Sequence, residues 1–307
     1  MHISITGDLG SGKSTVAKKL CEILGYKYLS TGEIQRQLAL EKGMNTLEFN
    51  KYTDENQSID DYIDQRLKDV NNQIDSYILD SRLGWHFVKK SFKVYVMAIE
   101  EVAASRVMID SSRIGEPEAK DVKAKIKEQQ ERRKSENERF EKTYNVKPSI
   151  FKDFDAVIDT SSANIEEVTQ LLINLYTKWK NHQPFHKIWM SPMRIFPTKD
   201  KTEIQINKDY NFETPLPCVL YQKDFFVFDG HKNLAQCFST QAPFVPVTLL
   251  AKNDENITSN LSSETFVKES VEKELIEKWE KTFDFKYYHF PSFLSNKKTH
   301  DEMVVEK

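Results

Sequence analysis

The chain has 307 residues, enough for two domains, and 39% of them are hydrophobic, enough for a sizeable core. A net charge of −3 disfavours a general nucleic-acid-binding protein. The three cysteines are scattered and lack CxxC spacing, so neither a disulfide framework nor a zinc site is predicted. The chain begins with a strand pattern and contains no apolar run of membrane-spanning length, so we expect a cytoplasmic protein with no membrane partner.

The first fifteen residues contain the most specific motif of the chain. An apolar segment at 3–6 runs into a GxxxxGK[ST] pattern, and the residues after it have the apolar spacing of a helix. A strand, a glycine-rich loop and a helix form a cradle whose backbone N–H groups bind phosphate, whereas the alternative is an ordinary βα turn. The predicted loop consists of Gly7, Asp8, Leu9, Gly10, Ser11, Gly12, Lys13, Ser14 and Thr15.

Strand-like and helix-like segments alternate over the first 180 residues. Further buried strands are predicted at 26–29, 77–80, 92–97 and 156–158. Two helix starts are predicted as well. Asn45 with Glu48 marks one of them between the second and third strands, and Asn164, before an apolar stripe, marks the other after the last strand. This alternation predicts an α/β domain with a parallel sheet flanked by helices.

Candidate functional side chains follow two of these strands. Thr31 and Arg36 could hold a second phosphate, although spacing alone favours an N-cap with a surface arginine. Asp80 ends a strand at the edge where open α/β sheets bind ligands, and could hold a Mg²⁺-bound water, with Arg82 reaching an acceptor phosphate. The alternative is a capping aspartate with a solvent-exposed arginine.

A highly charged helix is predicted from Glu118 to about Lys142. Arg132, Glu136 and Arg139 lie on one face of it, at spacings i, i+4 and i+7. Two guanidinium groups around one carboxylate could bind phosphates and a sugar, whereas a salt-bridge ladder explains the same spacing. Arginines on a segment opposite a phosphate loop suit phosphoryl transfer, which depends on positioning and charge neutralisation.

Together these motifs resemble the cytidylate kinases, especially their short archaeal-type form. The resemblance covers about residues 1–180 and includes the loop at 7–15, the segments at 30–44, 47–52, 59–64 and 81–83, and a lid pattern from Arg132 to Tyr144. It implies a P-loop nucleoside-monophosphate kinase fold over 1–182, with a helical lid. Three positions depart from the family pattern: Ser81 replaces a glycine, Arg133 an acidic residue and Phe140 a tyrosine.

The resemblance implies a role for each matched residue. Lys13, Arg132 and Arg139 would be catalytic, the loop at 7–15 would bind ATP, and Ser14 with Asp80 would hold Mg²⁺. The acceptor-binding residues would be Thr31, Arg36, Arg82 and Glu136, and the lid would include Arg106 and Arg113.

The composition of the sequence changes after a linker-like segment at 181–184. Prolines become frequent, strands are predicted at 217–221, 225–228 and 245–250, and 263–283 is predicted to be helical, so we expect a smaller α+β domain at 184–307. Its segment from Phe225 to Ala235, with the following strand at 245–250, resembles the ParB/sulfiredoxin-like superfamily. The resemblance implies a candidate ligand loop of Asp229, Gly230, His231 and Lys232, although Asn233 replaces the arginine of the pattern.

The function expected from these motifs is ATP-dependent transfer of a phosphoryl group to a nucleoside monophosphate, CMP or dCMP. The partners are then small-molecule nucleotides and not nucleic acid. Two alternatives remain: a kinase of another small acceptor, and a P-loop nucleotide sensor that signals to the second domain. The second domain could also bind a nucleotide itself or be a degenerate packing module.

Overall fold

The structure is a computed structural model that describes residues 1–110, 119–147, 150–200 and 214–296. The chain divides into two compact units, Met1–Lys187 and Ile188–Lys307. Among the described residues, no helix combines the length and the apolar character that crossing a bilayer requires.

The first unit contains five strands and nine helices in its described part. The strands are β1 (His2–Gly7), β2 (Lys27–Ser30), β3 (Tyr77–Asp80), β4 (Ser91–Met97) and β5 (Ala156–Asp159). The helices are α1 (Lys13–Leu24), α2 (Thr31–Glu41), α3 (Thr46–Glu55), α4 (Gln57–Val70), α5 (Gly84–Phe87), α6 (Glu100–Ile109), α7 (Val122–Tyr144), α8 (Ile150–Asp153) and α9 (Ile165–Lys180).

All five strands of this unit are parallel, in the order β2-β3-β1-β4-β5. Every residue of the central strand β1 is buried, including His2, Ser4 and Thr6, which alternate with the isoleucines, because both faces of a parallel sheet are covered. The α/β architecture predicted from the alternation of strands and helices is therefore confirmed. Parallel pairing also brings the carboxyl ends of β1, β3, β4 and β5 to one edge of the sheet.

Hydrogen bonds at the helix starts agree with the sequence signals. Asn45 and Glu48 exchange side chain-to-backbone bonds of 2.9 Å each, and Asn164 with Glu167 forms a capping box at α9. The charged helix α7 begins at Val122 rather than at Glu118, because the Asp121 side chain accepts from the Ala124 amide and caps it.

The second unit has a mixed sheet. Its elements are β6 (Ile188–Met190), a 3₁₀ turn (Pro192–Arg194), β7 (Ile195–Phe196), β8 (Leu216–Tyr221), β9 (Asp224–Val227), α10 (His231–Ser239), β10 (Val245–Lys252), β11 (Asn256–Thr258), β12 (Leu261–Ser262), α11 (Ser263–Ser270), α12 (Lys273–Phe283) and a second 3₁₀ turn (Ser292–Asn296). The strand order is β6-β10-β8-β9-β7. The β10–β8 and β7–β9 pairs are parallel, and the other two pairs are antiparallel.

One helix predicted in this unit is two helices. The segment 263–283 is interrupted at Val271, which is fully buried in an extended conformation and ends α11. A β-branched residue suits this extended position, and α12 then starts anew after Glu272. Apolar spacing alone did not indicate the break, because both helices bury apolar residues.

Candidate functional site

The glycine-rich loop connects β1 to α1, as its position after an apolar strand predicts. Gly10 has φ +81°, and a Cβ there would lie 2.2 Å from the carbonyl oxygen of Ala103, so only glycine fits. Gly12, also at φ 81°, is the N-cap of α1, and no side chain caps the first turn. The amide donors of that turn are therefore available to an anion, with the helix dipole favouring negative charge.

Lys13 and Asp80 form an ion pair at the base of the loop. Lys13 Nζ lies 2.6 Å from Asp80 Oδ1, and the Tyr28 hydroxyl donates to Asp80 Oδ2 at 3.0 Å. Burial alone would raise the pKa of Asp80, but Lys13 and the hydroxyls of Ser14 and Tyr28 outweigh it and lower that pKa. Asp80 therefore stays ionised and holds the lysine at the loop.

The residues predicted to hold Mg²⁺ lie together. The Ser14 hydroxyl is near enough to the Asp80 carboxylate to lower its pKa, so a hydroxyl and a carboxylate are neighbours below the loop. Within the described ranges, no group of three or more His, Cys, Asp or Glu side chains forms a metal cage. One or two protein oxygens fit Mg²⁺, which keeps several waters and takes its other ligands from substrate phosphates.

Arg82 connects the loop to α7. Its Nη1 donates to the Gly7 carbonyl at 2.9 Å, and its Nη2 lies 3.1 Å from Glu136 Oε2. Arg132 Nε donates to Glu136 Oε1 at 3.0 Å, as the i, i+4 spacing predicts. Burial would raise the pKa of Glu136, but Arg82 and Arg132 outweigh it and lower that pKa. One carboxylate thus holds two guanidinium groups beside the phosphate loop.

The third residue of that helix face contacts a different helix. Arg139 Nη1 donates to Thr53 Oγ1 of α3 at 2.6 Å, while its charge still acts on Glu136. The face of α7 that carries Glu136 and Arg139 therefore contacts both Arg82, beside the loop, and α3.

Thr31 and Arg36 both lie on α2. Thr31 is buried and donates from its hydroxyl to Ser81 Oγ at 3.1 Å. Ser30, not Thr31, is the N-cap of α2, because its hydroxyl accepts from the Glu33 amide at 3.2 Å. Arg36 is half-buried. Ser81 therefore connects the start of α2 to the segment that carries Arg82.

Arg106 lies on α6, which precedes the charged helix. It donates to the hydroxyl and the carbonyl of Thr160, at 3.0 and 2.9 Å, and the Thr160 hydroxyl donates to the Ser11 carbonyl at 2.8 Å. Arg106 therefore supports the phosphate loop through Thr160. Arg113 lies outside the described residues.

A small cavity of about 60 Å³ lies between the loop and α7. Asp8 and Leu9 line it from the loop, Arg82 from the segment after β3, and Arg132 and Arg133 from α7. With Glu100, two carboxylates and three arginines thus line a space next to the glycine-rich loop.

Residues 2–162 match the model of the cytidylate kinase-like family. The chain belongs to this family. It is 36% identical over 174 residues to a cytidylate kinase of Archaeoglobus fulgidus, covering 56% of this chain and 93% of that protein. With a cytidylate kinase of Methanobrevibacter smithii it is 34% identical over 173 residues, covering 56% and 96% of the two chains.

Two further similarities involve other proteins. An S-adenosylmethionine-dependent nucleotide dehydratase of Lacinutrix mariniflava is 32% identical over 177 residues, which are 57% of this chain and 36% of that one. The solved structure of shikimate kinase from Bacteroides thetaiotaomicron aligns over 58% of this chain and 98% of its own, with 14% identity and a TM-score of 0.42. The family match ends before α9, so the second unit lies outside it.

Sequence reasoning missed three residues of this cytidylate kinase-like site. Thr160 follows β5 directly, and its place at the carboxyl edge of the sheet was the only available signal. Tyr95 and Arg133 contact Asp8 of the loop, at 2.7 and 2.6 Å. Nothing in the local sequence indicates these contacts, because they join residues about 90 and 125 positions apart.

The candidate loop of the second unit contains both exposed and buried side chains. Gly230, at φ +89°, is the N-cap of α10, and Asp229 and Lys232 are exposed. His231 is buried, and its Nε2 accepts from the Thr198 amide at 3.1 Å. The imidazole therefore bonds within the unit, while Asp229 and Lys232 face the solvent.

Proposed function

We propose that residues 1–182 catalyse phosphoryl transfer from ATP to a nucleoside monophosphate, CMP or dCMP. The observation that supports this most is the position of Arg82, which hydrogen-bonds the first glycine of the loop and pairs with Glu136 on α7. Arg82 and Arg132 thus share one carboxylate beside the loop that carries Lys13. The names of the archaeal relatives, which cover 56% of this chain, support the choice of acceptor.

The proposed reaction needs charge neutralisation more than covalent catalysis. An oxygen of the acceptor phosphate attacks the γ-phosphorus of ATP, the bond to the bridging oxygen breaks, and ADP leaves. Lys13, Arg132 and Arg139 would neutralise the transferring group, and Arg36, Arg82, Thr31 and Glu136 would bind the acceptor. Mg²⁺ near Ser14 and Asp80 would supply further positive charge at the phosphates.

An acceptor panel tests this proposal. The full chain is mixed with ATP, Mg²⁺ and one of CMP, dCMP, UMP, AMP or GMP, and ADP and the nucleoside diphosphate are measured together. We expect CMP or dCMP to give the highest kcat/KM. A panel in which no monophosphate stimulates ADP release, although ATP binds, would favour the nucleotide sensor, and a preference for another acceptor would reassign the substrate.

A matched pair of variants tests the acceptor site in the same assay. Arg36→Ala should raise the acceptor KM by about tenfold or more, because it removes a charge-assisted contact to phosphate. Arg66→Ala, which removes an exposed arginine of α4, is the control and should match the wild type. Equal acceptor KM values for the two variants would show that Arg36 does not bind the acceptor.

A further inference from the structure

Asp8, Tyr95 and Arg133 form a closed ring of polar contacts at the phosphate loop. The Tyr95 hydroxyl donates to Asp8 Oδ1 at 2.7 Å, Arg133 Nη1 lies 2.6 Å from the same oxygen, and Arg133 Nη2 donates to the Tyr95 hydroxyl at 2.6 Å. The three residues belong to the loop, β4 and α7. The ring therefore joins the charged helix to the loop and to the sheet below it.

The protonation states of the three residues favour the contacts of the ring. Burial lowers the pKa of the Arg133 guanidinium, but Asp8, Tyr95 and Glu100 outweigh this and hold that pKa above its usual range. Tyr95 is 4% exposed, and its pKa is raised by burial and by the Asp8 carboxylate, so the phenol stays protonated. Arg133 and Asp8 are thus an ion pair, in which the Arg133 side chain is 42% exposed and the Asp8 side chain 17% exposed.

A carboxylate in this loop creates a difficulty for the proposed function. Asp8 directly follows the first glycine of a loop that is proposed to bind a triphosphate, and its negative charge repels that ligand. Arg133 is the cation that pairs with it, from the opposite wall of the same cavity. Removal of Arg133 would therefore leave the Asp8 carboxylate without this ion pair beside the bound phosphates.

We propose that Arg133 is a positioning residue of the phosphate site: it neutralises Asp8, so that an acidic phosphate loop still accepts the triphosphate donor. This inference rests on the proposed function. It differs from a purely mechanical role, in which the ion pair only fastens α7 to the loop. If the ion pair only fastens α7, removal of either partner should change the ATP KM in the same direction. If Arg133 neutralises Asp8, removal of Arg133 should raise the ATP KM and removal of the Asp8 charge should lower it.

A double-mutant cycle distinguishes these two roles. The ATP KM and the kcat are measured at low ionic strength for the wild type, Asp8→Asn, Arg133→Gln and the double variant. Arg133→Gln should raise the ATP KM at least about tenfold with a smaller change in kcat, because Asp8 is then uncompensated next to the phosphates. The double variant should recover most of this loss, to within about threefold of Asp8→Asn.

Two further variants complete the design. Arg133→Lys keeps the positive charge and should stay within about threefold of the wild type in ATP KM. Lys134→Gln removes a charge from the exposed side of the same helix and is the matched control, with no expected change. Thermal unfolding of each variant verifies that it is folded, and Arg133→Met replaces the glutamine variant if that one is not.

The outcomes separate this inference from the proposed function. An ATP KM unchanged in Arg133→Gln, or a double variant as impaired as that single one, would overturn the inference while transfer to CMP still stood. If the wild type transfers no phosphoryl group but binds ATP, the same cycle is measured on the dissociation constant of Mg²⁺·ATP, and recovery in the double variant still supports the pairing. A wild type that does not bind ATP would overturn both.

Discussion

Asp64 on α4 has surroundings that disfavour its charge. It is 5% exposed, and burial raises its pKa from 3.8 to about 6, against an opposing hydrogen bond from Tyr144. Asp60 and Asp61 on the same helix add to the increase. Because the folded protein binds this proton more tightly than the unfolded chain does, the group lowers stability as pH rises from about 4 to 6.

Asp64→Asn should remove this pH dependence. We expect the free energy of unfolding of the variant, minus that of the wild type, to increase between pH 4 and pH 7 by at most about 3 kcal/mol. Urea unfolding at several pH values measures this difference. Asp69→Asn, at an exposed position of the same helix that does not contribute to the pKa shift of Asp64, is the control. A difference for Asp64→Asn that does not vary with pH would mean that Asp64 titrates normally.

At the level of single residues, the sequence predicted the loop well and its contacts only in part. The glycines, Lys13 and Ser14 were predicted because the motif specifies them locally. Asp80 was predicted to lie at the same edge, since parallel strands end together, but its direct ion pair with Lys13 was not. The Asp8–Arg133 pair could not be predicted, because it depends on how a distant helix crosses the loop.

At the level of elements, α7 differs from the other long helices in how it is held. Lys125 is its only buried residue, and ion pairs join the helix to other segments: Glu136 with Arg82 and Arg133 with Asp8. The pairs Arg132–Glu136 and Lys125–Glu128 lie within the helix. In contrast, α9 buries Val168, Leu172 and Leu175. A helix docked by charges depends on ionic strength more than a helix docked by apolar packing does.

Hydrogen exchange can detect this difference in docking. We expect amide exchange in 122–144 to accelerate roughly threefold or more when NaCl is raised from about 0.05 to 0.5 M, because salt screens the exposed part of these pairs. Exchange in α9 of the same sample should change little and provides the internal control. An equal response of the two helices would show that apolar packing, and not charge, holds α7.

The boundaries of elements were less predictable than their existence. The start of α7 moved from 118 to 122 because the Asp121 cap, and not the onset of charge, determines it. The break at Val271 escaped prediction because burial of one extended residue is a tertiary effect.

At the level of the whole molecule, the sequence predicted the class of the first unit but not its strand order. The order β2-β3-β1-β4-β5 depends on pairings between distant segments, which local spacing does not encode. In the second unit, a ParB/sulfiredoxin-like relationship and a ligand loop at Asp229–Lys232 stay predictions. The inward position of His231 argues that any ligand there would meet Asp229 and Lys232 first.

Lys13 of the loop is expected to be essential for phosphoryl transfer in the intact chain. Formation of CDP and ADP from CMP and Mg²⁺·ATP is measured for the wild type, for Lys13→Ala and for Lys18→Ala, which removes an exposed lysine of α1. Because Lys13→Ala also leaves the buried Asp80 with hydroxyl partners alone, its folding is verified by thermal unfolding in parallel.

We expect equal amounts of CDP and ADP from the wild type and from Lys18→Ala, and at least about a hundredfold lower rate from folded Lys13→Ala. CDP formation by folded Lys13→Ala at the wild-type rate, or none by the wild type, would contradict the account.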